Sequence, residues 1–165
     1  MMRTLQIRPY APADAEALRA VFEASVRVLA APYYTPQQIA AWAPHDHDAP
    51  AWARRLADNR PWVCVVDGAP AGFADLQPSG YIDQFFVAPG HARQGVGAAL
   101  MAHLEQQARA QRCAAMFAHV SLAAQAFFAH HGFVLQEQRR VTLRGVQFAN
   151  ALMRKALVCG SDNGQ

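Results

Sequence analysis

The sequence predicts a single mixed α/β domain built around one mostly antiparallel sheet. Three observations carry that expectation. Two β-prone runs, residues 61–67 and 71–77, flank Asp67-Gly68, a dipeptide suited to a tight hairpin. Residues 81–87 (YIDQFFV) form a β-prone run that leads through Pro89 and Gly95-Val96-Gly97 into a long helix with apolar period. The C-terminal third then alternates strand, helix, strand and strand.

The elements follow in order. Residues 5–10 alternate apolar and polar, as a half-buried strand does. Asp14 suits the cap or first turn of a helix that carries Leu18, Val21 and Phe22 on one face. Thr35-Pro36-Gln37-Gln38 has a Thr cap, a Pro at the first helical position and a Gln at the third, a capping-box helix start. A short helix over 52–59 precedes the hairpin, and Pro78-Ser79-Gly80 turns the chain into the strand at 81–87. Leu100, Leu104 and Ala108 share one face of the helix over 96–111. Residues 115–119 read as a buried strand. Ser121 reads as the cap of the next helix, and Gly132 as its stop. Residues 133–143 and 147–157 close the domain as an antiparallel pair. About seven strands and about four helices are therefore expected. One domain spans 1–158, and 159–165 is a frayed tail.

Composition narrows the classes. At 165 residues with 53% hydrophobic content, the chain can bury one core. No apolar stretch approaches the ~18 residues of a membrane span. Met1-Met2-Arg3-Thr4 opens no apolar leader, and three scattered cysteines suit a reduced cytosol. The formal charge of +3 is mild, and no Lys/Arg run marks a nucleic-acid binder. A polyanionic small ligand is enough to account for it. His45-Asp46-His47-Asp48 lacks the spacing of a metal site, so no metal is expected.

The glycine loop is the informative part. Backbone N–H groups at a helix start lack intrahelical partners and carry partial positive charge, which suits a phosphate. Glycine lets that backbone approach the ligand, and Arg93 adds a planar cation. A nucleotide P-loop requires a lysine after its second glycine, but Ala98 and Ala99 stand there. A dinucleotide fingerprint requires a third glycine, and that position is Leu100.

Val87-x-Pro89, a five-residue spacer and Gly95-x-Gly97 resemble the acetyl-CoA loop of the GNAT superfamily of N-acetyltransferases. Ser121 to Phe133 (SLAAQAFFAHHGF) resembles the next helix of that family, and the run ending N-A-L-M-R-K-A-L resembles its closing hairpin. Upstream, S…Y-x-P-Q-Q-I-x-A-W resembles a bacterial subgroup of small GNAT proteins. One departure is Ala92, where the family usually has Arg or Gln. The resemblance implies a GNAT fold in which the parallel strands over 81–87 and 115–119 splay apart to admit acetyl-CoA as cosubstrate. The implied contacts come from Phe85, Phe86 and Val87, from Arg93, Gln94, Gly95, Val96, Gly97 and Ala98, and from Ser121, Phe127 and Phe128. The backbone at Phe85 and Val87 would pair with the pantetheine arm. Dimers are common in the family.

Acetyl transfer to an amine needs a base, an oxyanion donor and a route for the thiolate. The resemblance implies the Val87 N–H as oxyanion donor. Many relatives protonate the thiolate with a Tyr at the position of Phe128, so that acid is missing here. The substitutes are Tyr34, which otherwise reads as a packed aromatic, and Ser121, which otherwise reads as a plain cap. His119 and Asp83 are base candidates, and their bland alternatives are a satisfied core histidine and a solvent-facing carboxylate. Trp42 and Trp52 pack the helical flap and could shape an aromatic acceptor pocket. The expectation is a cytoplasmic acetyl-CoA-dependent N-acetyltransferase acting on a small amine in a ternary complex. A non-catalytic acyl-CoA-binding module, for which Phe128 is the motive, and a peptide acetyltransferase stand as alternatives.

Overall fold

The computed structural model describes residues 3–91 and 94–157. Arg93 and the tail beyond residue 158 lie outside the described residues.

The chain opens with β1 (Leu5–Pro9) and α1 (Ala15–Ala24), which runs on into a π-helical turn, Ser25–Leu29. Two short helices follow, α2 (Pro36–Trp42) and α3 (Ala49–Asn59). The capping box of α2 forms as the sequence predicts: the Gln38 N–H donates to Thr35 Oγ1 at 3.1 Å, and the Thr35 N–H donates to Gln38 Oε1 at 2.8 Å. Asp14 holds the cap position of α1, as expected, but its side chain makes no cap bond to that helix. Its carboxylate accepts from the Ala11 N–H at 2.8 Å and holds Arg8 through both oxygens at 2.7 and 2.8 Å, so it ties β1 to the turn before α1.

The hairpin of β2 (Trp62–Val66) and β3 (Ala69–Ala74) turns at Asp67-Gly68. The segments β4 (Tyr81–Ile82) and β5 (Phe85–Val87) come next, followed by α4 (Val96–Ala110), β6 (Ala115–Ser121) and α5 (Gln125–His130). A long pair, β7 (Val134–Leu143) and β8 (Val146–Ala156), completes the described chain.

The mixed α/β class holds, but the single sheet divides. The described residues form two four-stranded sheets, ordered β1-β2-β3-β5 and β4-β6-β8-β7. The strand expected over 81–87 crosses from one to the other: Tyr81 and Ile82 pair in parallel with Phe117 and Ala118, and Phe85 to Val87 pair antiparallel with β3. The cause is Asp75, which is fully buried. Its Oδ1 accepts from the Asp83 N–H at 3.0 Å and its Oδ2 from the Gln84 N–H at 2.8 Å, so the N–H groups of the two residues between the half-strands bond to a side chain instead of a neighbouring strand's carbonyls.

Helix α4 covers one face with Leu100, Leu104 and Ala108 buried, the stripe the sequence predicts. Helices α1 and α3 cover the opposite face, where Leu18, Phe22, Trp52 and Leu56 pack with Val63 and Phe73. The start of α5 differs from expectation. Ser121 ends β6, and its carbonyl accepts from the Ala124 N–H at 3.0 Å, so a turn intervenes and Ala124 holds the cap position.

Gly80 sets the approach of the parallel pair. Its φ is +93°, and a Cβ there would lie 2.0 Å from the Ala115 carbonyl oxygen. Its own carbonyl accepts from the Phe117 N–H at 3.0 Å. A Gly80→Ala variant is expected to lose about 2–4 kcal/mol of stability, read from urea midpoints at unchanged slope. A loss below ~0.5 kcal/mol would show that this turn does not hold β4 against β6.

Candidate active site

The sheet division opens a gap between β5 and β6. Along β5, the Asp75 N–H donates to the Gln84 carbonyl at 3.2 Å and the Ala88 N–H to the Ala71 carbonyl at 2.8 Å, on either side of the Phe73–Phe86 pair. Antiparallel alternation therefore points the backbone of Phe86 at β3, and the N–H and C=O groups of Phe85 and Val87 into the gap.

The start of α4 adjoins this edge. Gly95 holds the cap at φ +85°, and the first N–H to return to a helix carbonyl is that of Ala99, to Gly95 at 2.9 Å. The N–H groups of Val96, Gly97 and Ala98 precede it, so they have no intrahelical partner and point toward an incoming anion. A Cβ on Gly97 would stand 3.1 Å from the Phe127 ring and 3.7 Å from Val87 Cγ2, so the helix start is wedged between β5 and α5. Gln94 is turned back on its own loop: its amide accepts from Arg3 and donates to the Gly90 carbonyl at 3.2 Å.

A cavity of about 470 Å³ lies at the splay, on the side of the helical flap. All four candidate catalytic residues, Asp83, His119, Ser121 and Tyr34, line it, and so does Phe128. Their states differ. The Tyr34 hydroxyl donates to the Ala149 carbonyl at 2.7 Å and accepts from the Leu122 N–H at 3.0 Å. Its proton is engaged, and burial pushes its pKa up. Ser121 faces Asn150 across the β6–β8 ladder, and its hydroxyl has no protein partner among the described residues. Phe128 brings only hydrocarbon; its ring packs on Phe85 at 5.7 Å and on Phe133 at 4.9 Å.

Asp83 Oδ2 accepts from Arg55 Nε and Nη2 at 3.1 and 3.0 Å and from Asn59 Nδ2 at 2.7 Å. It sits in the break between half-strands, so it does not share a strand face with Phe85 and Val87. His119 Nδ1 lies 3.4 Å from the Tyr81 hydroxyl. Burial, foremost, and Arg139 hold His119 below the usual histidine range, against the opposing pull of Asp83 and Glu137. The imidazole is therefore neutral near pH 7.

Three polar residues of this region escaped the sequence reading. Arg55 meets Asp83 from 28 positions away, with no local signal. Gln84 is buried and its Nε2 has no partner, and Asn150 Oδ1 is likewise buried and unpartnered. Both amides line the cavity. Asn150 did leave a trace, since an Asn inside an apolar strand run works against strand propensity. Within the His45–Asp48 tract, Asp48 caps α3 through the Ala51 N–H at 3.0 Å and His47 Nδ1 approaches Glu23 at 3.8 Å, and both residues line the cavity.

This frame of a split sheet, an exposed β5 edge and an open helix start matches known proteins. A family model described as an acetyltransferase (GNAT) domain matches residues 30–157. YafP of Escherichia coli (strain K12), described as an uncharacterized N-acetyltransferase, is 37% identical over 153 residues, which cover 93% of this chain and 97% of that protein. The chain belongs to the GNAT superfamily of N-acetyltransferases. A crystal structure of a GCN5-related N-acetyltransferase from Rhodopseudomonas palustris superposes with a TM-score of 0.90 at 34% identity, over 95% of this chain and 99% of that one. The PaiA N-acetyltransferase of Thermoplasma acidophilum, solved in complex with coenzyme A, shares the fold at a TM-score of 0.74 and 16% identity, over 93% of this chain and 99% of that one.

The engaged hydroxyl of Tyr34 gives a prediction. Tyr34→Phe leaves the Leu122 N–H and the Ala149 carbonyl without that partner, and stability should fall by about 1–3 kcal/mol. Chemical denaturation of the variant checks this, and an unchanged midpoint would free Tyr34 from its structural duty.

Proposed function

We propose that the protein transfers an acetyl group from acetyl-CoA to the amine of a small molecule, by direct attack within a ternary complex. One observation carries the reading: the outward backbone of Phe85 and Val87 and the unpaired N–H groups of Val96, Gly97 and Ala98 converge beside the cavity. The pantetheine arm would extend β5 by one partial strand, and the pyrophosphate would sit at the start of α4. The T. acidophilum relative of the same fold holds coenzyme A, which supports this assignment. The setting it assumes is the cytoplasm, where acetyl-CoA is available.

The chemistry divides among few groups. The Val87 N–H would stabilise the thioester oxyanion. Neutral His119 can take the proton that the attacking nitrogen sheds, with Tyr81 bounding its Nδ1 side. The Ser121 hydroxyl can donate a hydrogen bond to the departing thiolate. A thiol of pKa near ~8.5 leaves tolerably without full protonation, so Phe128 does not forbid turnover. Phe128 is also the observation that favours the second reading, a module that binds acyl-CoA without turning it over.

Calorimetry with acetyl-CoA and desulfo-CoA is the first test. Binding should be lost in Gly97→Trp, where the added ring must displace Phe127 or enter the gap, and kept in Gly90→Ala, where a Cβ meets nothing within 4 Å. Equal binding by the Gly97→Trp variant would move the cofactor elsewhere. Release of free thiol on adding amine separates transfer from mere binding.

The pH dependence follows from His119. A neutral imidazole accepts a proton and a charged one does not, and His119 is held below the ordinary histidine range, so kcat/KM should fall on the acid side at a pH below that of a free imidazole. His119→Ala should remove that limb and cost about 10²-fold at neutral pH. If the limb persists in the variant, another group is the base.

A further inference from the structure

The cavity also carries information about its acceptor, in its walls and in its charges. On the flap side the walls are aromatic. Trp42 stands 6.3 Å from Phe86 and 6.4 Å from Phe148, edge to face in both cases, and Tyr34 and Phe22 close the ring behind them. Trp42 and Phe86 are half-buried and keep surface toward the opening, while Phe22, Tyr34 and Phe148 are held in the core behind. Such walls suit a flat apolar body packed edge to face or in offset stacks.

The charges decide what nitrogen that body bears. Arg19, Arg55 and Arg144 line the cavity, and among the described residues Asp48 and Asp83 are the carboxylates that do. Both are occupied. Asp48 caps α3, and Asp83 meets Arg55 and Asn59 on one oxygen. Arg144 stands exposed, donating to the Ala41 carbonyl at 2.6 Å. Arg19 is paired with Glu23 and Arg55 with Asp83, so Arg144 is the lining guanidinium without a carboxylate partner among the described residues, and an alkylammonium entering beside it would have to shed its hydration. An arylamine is different. Its nitrogen lone pair is delocalised into the ring, so it is unprotonated at neutral pH and reaches the thioester with no prior proton removal.

We infer that the preferred acceptor is an aromatic amine, its ring held among Trp42, Phe86 and Phe148 and its uncharged nitrogen directed at the thioester. This rests on the acetyl-transfer reading above. The step balances: the nitrogen–carbon bond forms, the carbon–sulfur bond breaks with its electron pair going to sulfur, and the one proton lost from nitrogen equals the one that coenzyme A takes up as a thiol. His119 can carry that proton once attack has made the nitrogen acidic. Gln84 Nε2 and Asn150 Oδ1, both buried and without a partner, sit at the same cavity, where small rearrangements would let them bond ring substituents.

The test is thiol release from acetyl-CoA at pH 7 with aniline and 2-naphthylamine set against phenethylamine, butylamine and spermidine, alongside acetyl-CoA calorimetry on the same samples. The arylamines should exceed the alkylamines by at least about tenfold in kcat/KM. Phenethylamine should gain about tenfold per pH unit as its neutral fraction grows. Trp42→Ala should cut the arylamine rate by about tenfold while acetyl-CoA affinity stays unchanged. Arg144→Glu, which gives up the bond to the Ala41 carbonyl but keeps every ring of the wall, should raise the rates of the charged amines several-fold and serves if Trp42→Ala misfolds. Acetyl-CoA binding with alkylamines or spermidine preferred would overturn this inference and leave acetyl transfer standing. No acetyl-CoA binding at all would overturn both.

Discussion

The fold turns on a carboxylate that has no cation partner among the described residues. Asp75 is fully buried, and its recorded donors are the Asp83 N–H, the Gln84 N–H and Gln77 Nε2, at 3.0, 2.8 and 2.9 Å. Desolvation, the largest influence, pushes its pKa up, and the three donors pull the other way. Without those donors a buried carboxylate would be expensive; with them, it supplies the bonds that two backbone groups would otherwise seek in a neighbouring strand. That substitution is what lets the chain leave β6 at Ile82 and join β3 at Phe85. The gap between β5 and β6, the outward edge of β5 and the cavity beneath all follow from it.

The sequence disclosed whatever is local. The capping box at Thr35 and Gln38 is four consecutive residues, the hairpin at Asp67-Gly68 is two, and the apolar stripe of α4 is a period. The strand–glycine–helix unit at 81–97 was legible for the same reason, and it led to the family. The break at Asp83 was not, because its cause sits eight and nine positions upstream and acts through space. A lone acid closing the apolar run at Ala74 was a signal of a kind, though a solvent-facing strand end carries the same one. Ser121 misled as a cap because cap preference is a local rule, and the ladder with β8 carried β6 two residues further.

The proton inventory of the site is short. Tyr34 spends its proton on Ala149, Asp83 is neutralised by Arg55, and Phe128 has none to give. Among the described residues of the lining, the groups left are a neutral His119, the Ser121 hydroxyl and, on the flap side beside Glu23, His47. A site so arranged is poorly equipped to strip a proton from an alkylammonium and well equipped to guide a nucleophile that arrives uncharged. Positioning, rather than acid–base strength, would then supply most of the rate.

Tyr34 explains how such positioning survives in a flap made of short helices. A seven-residue helix such as α2 is too short to be stable alone. Its neighbour Tyr34 reaches 115 positions ahead to β8 and accepts from the turn after β6, while Gln38 Nε2 donates to the Gln147 carbonyl at 2.8 Å. The flap is thus bolted to the same strands that carry His119, Ser121 and Asn150. The aromatic wall and the reacting groups therefore hold one geometry, and the tyrosine that could have served as an acid serves instead as the joint between acceptor pocket and cofactor gap.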